Sequence, residues 1–600
     1  MHSFLTTLRG IFSGKVYVLL MILALFLKSE VLLALTGSTI PHASLAVVAF
    51  YGLITVSGIA FVLSPGLLLS RRKQHAYLLG VNILLSIIFL GDVWYYRAFA
   101  NFLSFHTLLQ AGNLENLSGS ILAMIHLPDI LLVIDIPVFL YFFFRKNTPS
   151  IPPKRSYAWF AVMLFGSAAF LFVADRMYMR KTTNPLFAMA WIPNKTLADA
   201  SPIGYHAIDL YEFIRFGKLT LTPELKQSID EWYSNYPDAS SDSLMQGIFK
   251  GKNLLILQVE SLENFVIHQQ YVGQEITPNL NRIARQSLYF TNFYDGINNG
   301  GSADADLLAN TSIYPPRKGS SFLSFPNNTY NSLPKILARY GYHSLAVKSD
   351  KGNYYNWKPA LTAMGFDECY DATKFKRDDL IGMGLSDSSY LHQMVPYIRQ
   401  LPQPFYAFAV TLTLHSPFDL PAEKRKLTLP TELNNSRLGG YLQSAYYTDK
   451  FIGEFLNRLD SAGILENTVV VVYGDHSSIH RYFTDEVVAM KPPIPWSLDA
   501  SGRIPLMIYH KNFQGREIAT FSGQVDIMPT VLPLLGVPRK EYAMTAMGRD
   551  ILNSKKNFTF LTTGKCVGIG HTADDEKHAI RTLQTADAIV RSNYFGERKK

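Results

Sequence analysis

The chain is 600 residues long, 48% hydrophobic and only 17% charged, with a formal net charge of +9. A soluble protein carries roughly 25% charged residues, so this composition points away from an ordinary soluble enzyme, and the length allows about four domains of ~150 residues. The positive surplus invites a nucleic-acid reading, but residues 1–181 hold 14 Lys/Arg against 6 Asp/Glu, while the other 419 residues hold 42 against 41. The basic character belongs to the first third of the chain, where the apolar runs also lie.

Five stretches there reach the ~20 apolar residues that cross a bilayer: 16–35, 45–69, 76–95, 121–144 and 157–173. Arg9 and Lys15 precede the first, Arg71, Arg72 and Lys73 separate the second and third, and Arg145, Lys146, Lys154 and Arg155 separate the fourth and fifth. The alternate loops, 36–44 and 97–120, carry only Arg97 and Glu115. The positive-inside rule therefore predicts a cytoplasmic amino terminus and an extracytoplasmic chain after about residue 175. Arg176, Arg180 and Lys181 are a local exception to it. No small-x-small cleavage site follows the first span, which reads as an uncleaved anchor. Lys28, Glu30, Asp92, Asp129 and Asp135 lie inside the spans, where charge is costly and is expected to pair or to sit near the headgroups. Residues 95–117 mix aromatics with Leu and Phe and read as an interfacial helix. Two cysteines, Cys369 and Cys566, define no disulfide framework, and both read as structural.

Residues 176–250 read as a juxtamembrane helical linker, with Thr222 as N-cap and Pro223 opening an amphipathic helix through Tyr233. After Lys252, short apolar β-rich runs alternate with helical segments: 254–259 ending at Glu260, 343–347 ending at Lys348 and Asp350, 406–414 ending at His415, 468–473 ending at Gly474-Asp475-His476, then 504–509. Runs without polar alternation predict a mainly parallel sheet between helices, whose ligand site lies beyond the carboxyl ends of the strands. Glu260, Asp475 and His476 there make a site for a hard divalent cation such as manganese, magnesium or zinc. The segment Asn299-Gly300-Gly301-Ser302-Ala303-Asp304-Ala305-Asp306 adds a hydroxyl at a helix start, where amides favour a phosphate. Ser302 is a weak nucleophile until a base or metal activates it.

These residues carry a resemblance. Val259-Glu260-Ser261, Thr277-Pro278-Asn279-Leu280, the Gly-Gly-Ser-Ala-Asp-Ala-Asp segment, Tyr447-Thr448-Asp449, Gly474-Asp475-His476 and Gln524-Val525-Asp526-Ile527-Met528-Pro529-Thr530 resemble, in this order, the lipoteichoic acid synthase family. These are membrane phosphoglycerol transferases of the alkaline phosphatase and sulfatase superfamily. The resemblance implies five transmembrane helices followed by an α/β alkaline phosphatase-like extracytoplasmic domain. It implies Glu260, Ser302, Asp475 and His476 as metal ligands, manganese first, with Ser302 as nucleophile and His415 beside the leaving group or acceptor. Lys348, Asp350, Tyr355 and Trp357 fall on the family's glycerol-phosphate pocket, with an aromatic where the family has an arginine. Ser302 replaces the usual threonine, and the x-Pro-x-Arg pattern of sulfatases is missing after it.

The implied organisation is a membrane domain over 1–175, a linker over 176–250, a catalytic domain over 251–561 and an extension over 562–600. The implied reaction moves the head group of phosphatidylglycerol, or another anionic phospholipid, through a seryl intermediate to a hydroxyl of an envelope polymer, glycan or glycolipid. It would occur at a bacterial cell membrane, with no nucleic-acid partner. Phosphoethanolamine transfer, metal-dependent phosphate-ester hydrolysis and a non-catalytic lipid-binding role are the alternatives.

Overall fold

In the computed structural model, residues 15–38, 45–99, 102–105, 124–144, 153–182, 186, 193–216, 218–235 and 245–597 are described. The chain divides into two compact units, with the break between Gly217 and Lys218.

The first unit contains five apolar helical segments long enough to cross a membrane: Tyr17–Leu35, Leu45–Leu68, Arg71–Arg97, Leu127–Phe144 and Tyr157–Met179. The second tightens into a 3-10 turn over Ser64–Leu68, where Pro65 removes a backbone donor. The fourth is not one continuous helix. A 3-10 segment, Leu127–Leu132, precedes the α-helix Ile136–Phe144, and the two carboxylates around the break are held by other helices. Asp129 takes both terminal nitrogens of Arg97 at 2.7 and 2.8 Å and the Trp94 indole at 3.0 Å. Asp135 takes Lys28 at 2.6 Å and Asn82 at 2.9 Å. Lys28 also donates to Asn82 and Ser86, each at 2.7 Å. Asp92 meets His206 at 2.8 Å. Pairing thus accounts for four of the five predicted ionisable residues, while Glu30 lies on the exposed face of its helix. Of the expected interfacial helix, residues 102–105 are tied down instead. The amide of Leu103 donates to Asp92, and Ser104 and Phe105 donate to Asp209; residues 106–117 lie outside the described residues.

The second unit is built on an eight-stranded sheet. In chain order its strands are β1 Asn253–Val259, β2 Ser287–Phe290, β3 His343–Lys348, β4 Glu368–Tyr370, β5 Phe405–Val410, β6 Thr468–Gly474, β7 Leu506–Tyr509 and β8 Arg516–Ile518. The spatial order is β8-β2-β7-β6-β1-β5-β3-β4. β6-β1-β5-β3-β4 is parallel throughout, and β7 runs antiparallel to both neighbours, so one predicted strand reverses an otherwise parallel pattern. β1 and β6 are buried at every residue, as continuous apolar runs covered on both faces require. Their carboxyl ends deliver Glu260 and Asp475. The strand read as 406–414 ends at Val410, and a turn over 411–414 carries His415 onward.

The linker helix Pro223–Ser234 is capped by Thr222, whose hydroxyl accepts from the Leu225 amide at 3.2 Å. The carboxyl-terminal extension pairs its strand Cys566–Ile569 with Asn557–Phe560 before it in a hairpin and then forms a helix, Ala573–Ser592. This helix packs on the linker helix, with His578 stacked on Trp232, the Leu219 amide donating to the Arg591 carbonyl and Tyr594 bonded to Asp230. Cys369 and Cys566 are both free thiols, held above their ordinary pKa by burial.

Candidate active site

Glu260, Asp475 and His476 are buried, and one donor atom from each falls within a 4.8 Å cluster. Local backbone explains the convergence. Ser261 sits at φ +55°, an uncommon conformation for a residue with a side chain. It turns its amide onto Asp475 Oδ1 at 2.7 Å and its hydroxyl onto Glu260 Oε1 at 2.6 Å. Gly474 allows the two strand ends to approach, since a Cβ there would lie 2.1 Å from the Leu262 carbonyl oxygen.

Ser302 opens the helix Ser302–Thr311, and its hydroxyl donates to Glu260 Oε2 at 3.0 Å. Gly301 precedes it at φ +55°, in the left-handed region that glycine enters freely. Asp304, fully buried, accepts from the amides of Asn298 at 3.0 Å and Gly300 at 2.9 Å and so fixes the loop that presents the serine. Burial raises its carboxyl to about 7.

The residues fit a divalent cation on three counts. Asp475 Oδ2 is buried and accepts no hydrogen bond among the described residues. His476 Nδ1 lies 3.0 Å from the Ser477 carbonyl oxygen, which can only accept, so Nδ1 carries the proton and Nε2 keeps its lone pair, the tautomer of a metal-ligating histidine. That Nε2 faces Glu260 at 3.6 Å and Asp475 at 3.7 Å. Finally, burial and the neighbouring Glu260 charge raise Asp475 to about 7. Burial works the same way on Glu260, but His415 and His476 outweigh it and hold that carboxyl low. Two adjoining carboxylates, one retaining its proton near neutrality, call for a cation.

His415 is half-buried, and its Nδ1 lies 2.5 Å from the Ser416 carbonyl oxygen, which leaves Nε2 as the basic nitrogen. Lys348, Asp350, Tyr355 and Trp357 come from β3 and the loop after it. Lys348 forms a buried ion pair with Asp306 Oδ2 at 2.5 Å and lies 5.6 Å over the Trp357 ring. Trp357 is buried, with its indole N–H on the Lys351 carbonyl, so the pair forms a wall behind the pocket. Asp350 Oδ1 is buried and accepts no hydrogen bond among the described residues, and burial raises the carboxyl to about 6.

Sequence reading missed several supports. Glu263 accepts from the Ser478 and His480 amides at 2.7 and 3.2 Å and from His480 Nδ1 at 2.5 Å, bracing the loop that follows Asp475 and His476. Arg481 and Tyr482 add charge and a phenol beside His476 and Glu260. The other matched motifs are scaffolding. Asp449 accepts the amides of Asn279 and Leu280, capping the helix Pro278–Arg285. Thr448 donates to Asp387, which holds the amides of Leu412 and Thr413 ahead of His415. Gln524 donates to the Asp475 carbonyl at 2.6 Å.

Comparison with known proteins points to the same family. Residues 1–218 match the lipoteichoic acid synthase N-terminal domain, and residues 252–537 match the sulfatase domain. The chain is similar to the lipoteichoic acid synthase family over most of its length. It is 29% identical to lipoteichoic acid synthase 1 of Bacillus subtilis, over 81% of this chain and 77% of that one. It is 28% identical to lipoteichoic acid synthase of Staphylococcus aureus, over 88% and 84%. Among solved structures, the lipoteichoic acid synthase LtaP from Listeria monocytogenes aligns with a TM-score of 0.54 at 27% identity, covering 61% of this chain and 98% of that one. The integral membrane phosphoethanolamine transferase EptA from Neisseria meningitidis shares the fold over 90% of this chain and 99% of its own, with a TM-score of 0.51 at 13% identity. With its five apolar helices and the sulfatase-domain match, the chain is a membrane-embedded enzyme of a metal-dependent superfamily.

Proposed function

We propose that this chain is a phosphoglycerol transferase, taking the head group from phosphatidylglycerol and passing it to a hydroxyl of an envelope polymer or glycan. The single observation that carries this reading is a serine hydroxyl at a helix start, bonded to one carboxylate of a buried Glu-Asp-His cluster. Glu260, Asp475, His476 and Ser302 would hold the cation, which we take to be manganese; when bound it lowers the pKa of the serine and offsets charge on phosphate oxygens.

Ser302 Oγ forms a bond to phosphorus, the bond from phosphorus to the diacylglycerol oxygen breaks, and the serine proton ends on the departing diacylglycerol. The helix amides and the cluster position the phosphate in line, and phosphoryl transfer asks for little else. Asp350 Oδ1 accepts from a glycerol hydroxyl, with Tyr355 beside it and the Lys348–Trp357 wall behind. In the second step an acceptor hydroxyl gives its proton to His415 Nε2 and its oxygen to phosphorus, and Ser302 is released with its proton restored. The loop charges support an amino terminus in the cytoplasm and a catalytic domain outside a bacterial cell membrane, with the linker over 176–250 and the catalytic domain over 251–561.

The test is diacylglycerol release from vesicles by the full-length protein. We expect release from phosphatidylglycerol, its loss on chelation, its return with manganese, and little release from phosphatidylethanolamine. Release from phosphatidylethanolamine alone would overturn the head-group assignment.

A further inference from the structure

The rim of the active site carries a hairpin that the chemistry leaves unused. After β4 the chain runs out through residues 374–379 and turns back at Gly382-Met383, between the paired strands Leu380–Ile381 and Gly384–Leu385. Gly382 makes that turn at φ +58°, a conformation glycine adopts without cost. The base of the hairpin rests on both loops that flank the site. A Cβ on Gly384 would lie 3.1 Å from the carbonyl oxygen of Ser349, the residue between Lys348 and Asp350, and 2.7 Å from Leu412 Cδ2, three residues before His415. Asp387, just past the hairpin, accepts the amides of Leu412 and Thr413 at 2.9 and 3.1 Å. Ile381 packs on Leu420 and Tyr447. The hairpin is therefore fixed at the mouth of the site, from the Asp350 side and from the His415 side.

Its outward face combines two chemistries. Leu380 is 50% exposed, and Met383 stands half-exposed at the tip. Just before them Lys376 and Arg377 are exposed, and neither enters an ion pair among the described residues. The two acids in between are engaged by the protein: Asp378 accepts from the Ser389 hydroxyl at 2.5 Å, and Asp379 takes Lys424 and the Ser386 hydroxyl, each at 2.6 Å. The cationic run is held in place, since Gln393 bonds the amide and the carbonyl of Lys376 at 2.8 and 2.9 Å, and the Tyr397 hydroxyl donates to the Lys374 carbonyl at 2.6 Å. An apolar tip beside unpaired cations matches a surface that is anionic above and hydrocarbon below. A soluble polyanion would use the cations and leave Leu380 in water. An apolar protein face would cover Leu380 and leave the cations without partners.

We propose that this hairpin seats on the surface of an anionic phospholipid bilayer, with Lys376 and Arg377 on lipid phosphates and Leu380 at the acyl boundary, and so holds the rim of the site at the depth of the head groups. The proposal rests on the transferase reading above, which makes phosphatidylglycerol the donor. It is tested on the full-length protein in phosphatidylcholine vesicles with manganese. The donor is supplied either as long-chain phosphatidylglycerol at increasing mole fraction in the bilayer or as dihexanoyl phosphatidylglycerol from the water. Leu380→Asp, and Lys376→Gln combined with Arg377→Gln, alter exposed side chains only. Both are expected to form the Ser302 adduct from the soluble lipid within about two-fold of wild type. With the bilayer lipid they should keep kcat but need about a five-fold or higher mole fraction for half-maximal diacylglycerol release. Equal use of the bilayer lipid by wild type and both variants, or equal loss with both lipids, overturns the proposal. Adduct formation at the wild-type rate with loss only in transfer to an acceptor also overturns it, and gives the hairpin to the acceptor. An environment-sensitive label on Leu380→Cys, in a chain carrying Cys369→Ser and Cys566→Ser, gives a readout without turnover. Quenching by nitroxide-labelled phosphatidylcholine that grows with the phosphatidylglycerol fraction and weakens at high salt supports the seat, and emission indifferent to the nitroxide lipid overturns it. Quenching with no Ser302 adduct from either lipid in the wild type would fault the transferase reading and leave the seat standing.

Discussion

A methyl group on Gly300 would stand 2.1 Å from Asp304 Oδ1, well inside van der Waals contact. Gly300→Ala must therefore push the Asp304 carboxylate off the two amides it holds, and the serine moves with the loop. Displacement of about 1 Å can cost about 10²-fold, and we expect a kcat loss of about that size with manganese content unchanged, checked by diacylglycerol release alongside metal analysis. Asp304→Ala should behave alike, because it removes the one oxygen, Oδ2, that accepts from both the Gly300 and the Asn298 amides. His480 is the second residue whose chemistry is fixed by its partners. Its Nδ1 meets Glu263 and its Nε2 lies 2.7 Å from the Ser497 carbonyl oxygen, and two acceptors require an imidazolium. Burial opposes that charge, yet Glu263, Ser497 and more distantly Asp499 outweigh it and raise the pKa. A raised folded value means stabilisation complete below about pH 6.5 and lost as pH rises through the raised value. The thermal midpoint of the wild type should therefore exceed that of His480→Gln most at pH 6, and the gap should narrow toward pH 9. The Glu260, Asp475 and His476 cluster was legible because Glu and Asp-His follow apolar runs; Glu263 and His480 were not, since a carboxylate and an imidazole 217 positions apart show no period in the sequence.

Elements were legible where one periodicity ran unbroken. The strands at 253–259 and 468–474 follow from continuous apolar runs. The reversed direction of Leu506–Tyr509 left no mark, because antiparallel and parallel buried strands share the same composition. The fourth span reads as one apolar stretch, whereas Asp129 and Asp135 are recruited by Arg97 and Lys28 on other helices and the helix breaks between them. Removing one partner of such a buried pair costs about 3–5 kcal/mol. Lys28→Met should lower the thermal midpoint of the detergent-solubilised protein, and Lys28→Met with Asp135→Leu should recover part of the loss. An unchanged midpoint in the single variant would show that the pair holds nothing together.

At the scale of the whole molecule, nine of the positive charges that looked like a polyanion-binding signal lie in the amino terminus and two loops between apolar spans, where they orient an anchor. The carboxyl-terminal extension, silent in sequence, becomes a brace. Its helix holds Arg317 and Asn328 of the segment near the nucleophile loop through Asp587 and Val590, and it clasps the linker helix through Tyr594. The account stands or falls on one bond. Full-length protein incubated with phosphatidylglycerol and manganese, quenched and digested, should yield the peptide containing Ser302 heavier by one glycerol phosphate less water, and Ser302→Ala should yield no modified peptide. Diacylglycerol released with Ser302 unmodified, or equal release from the alanine variant, would contradict a seryl intermediate.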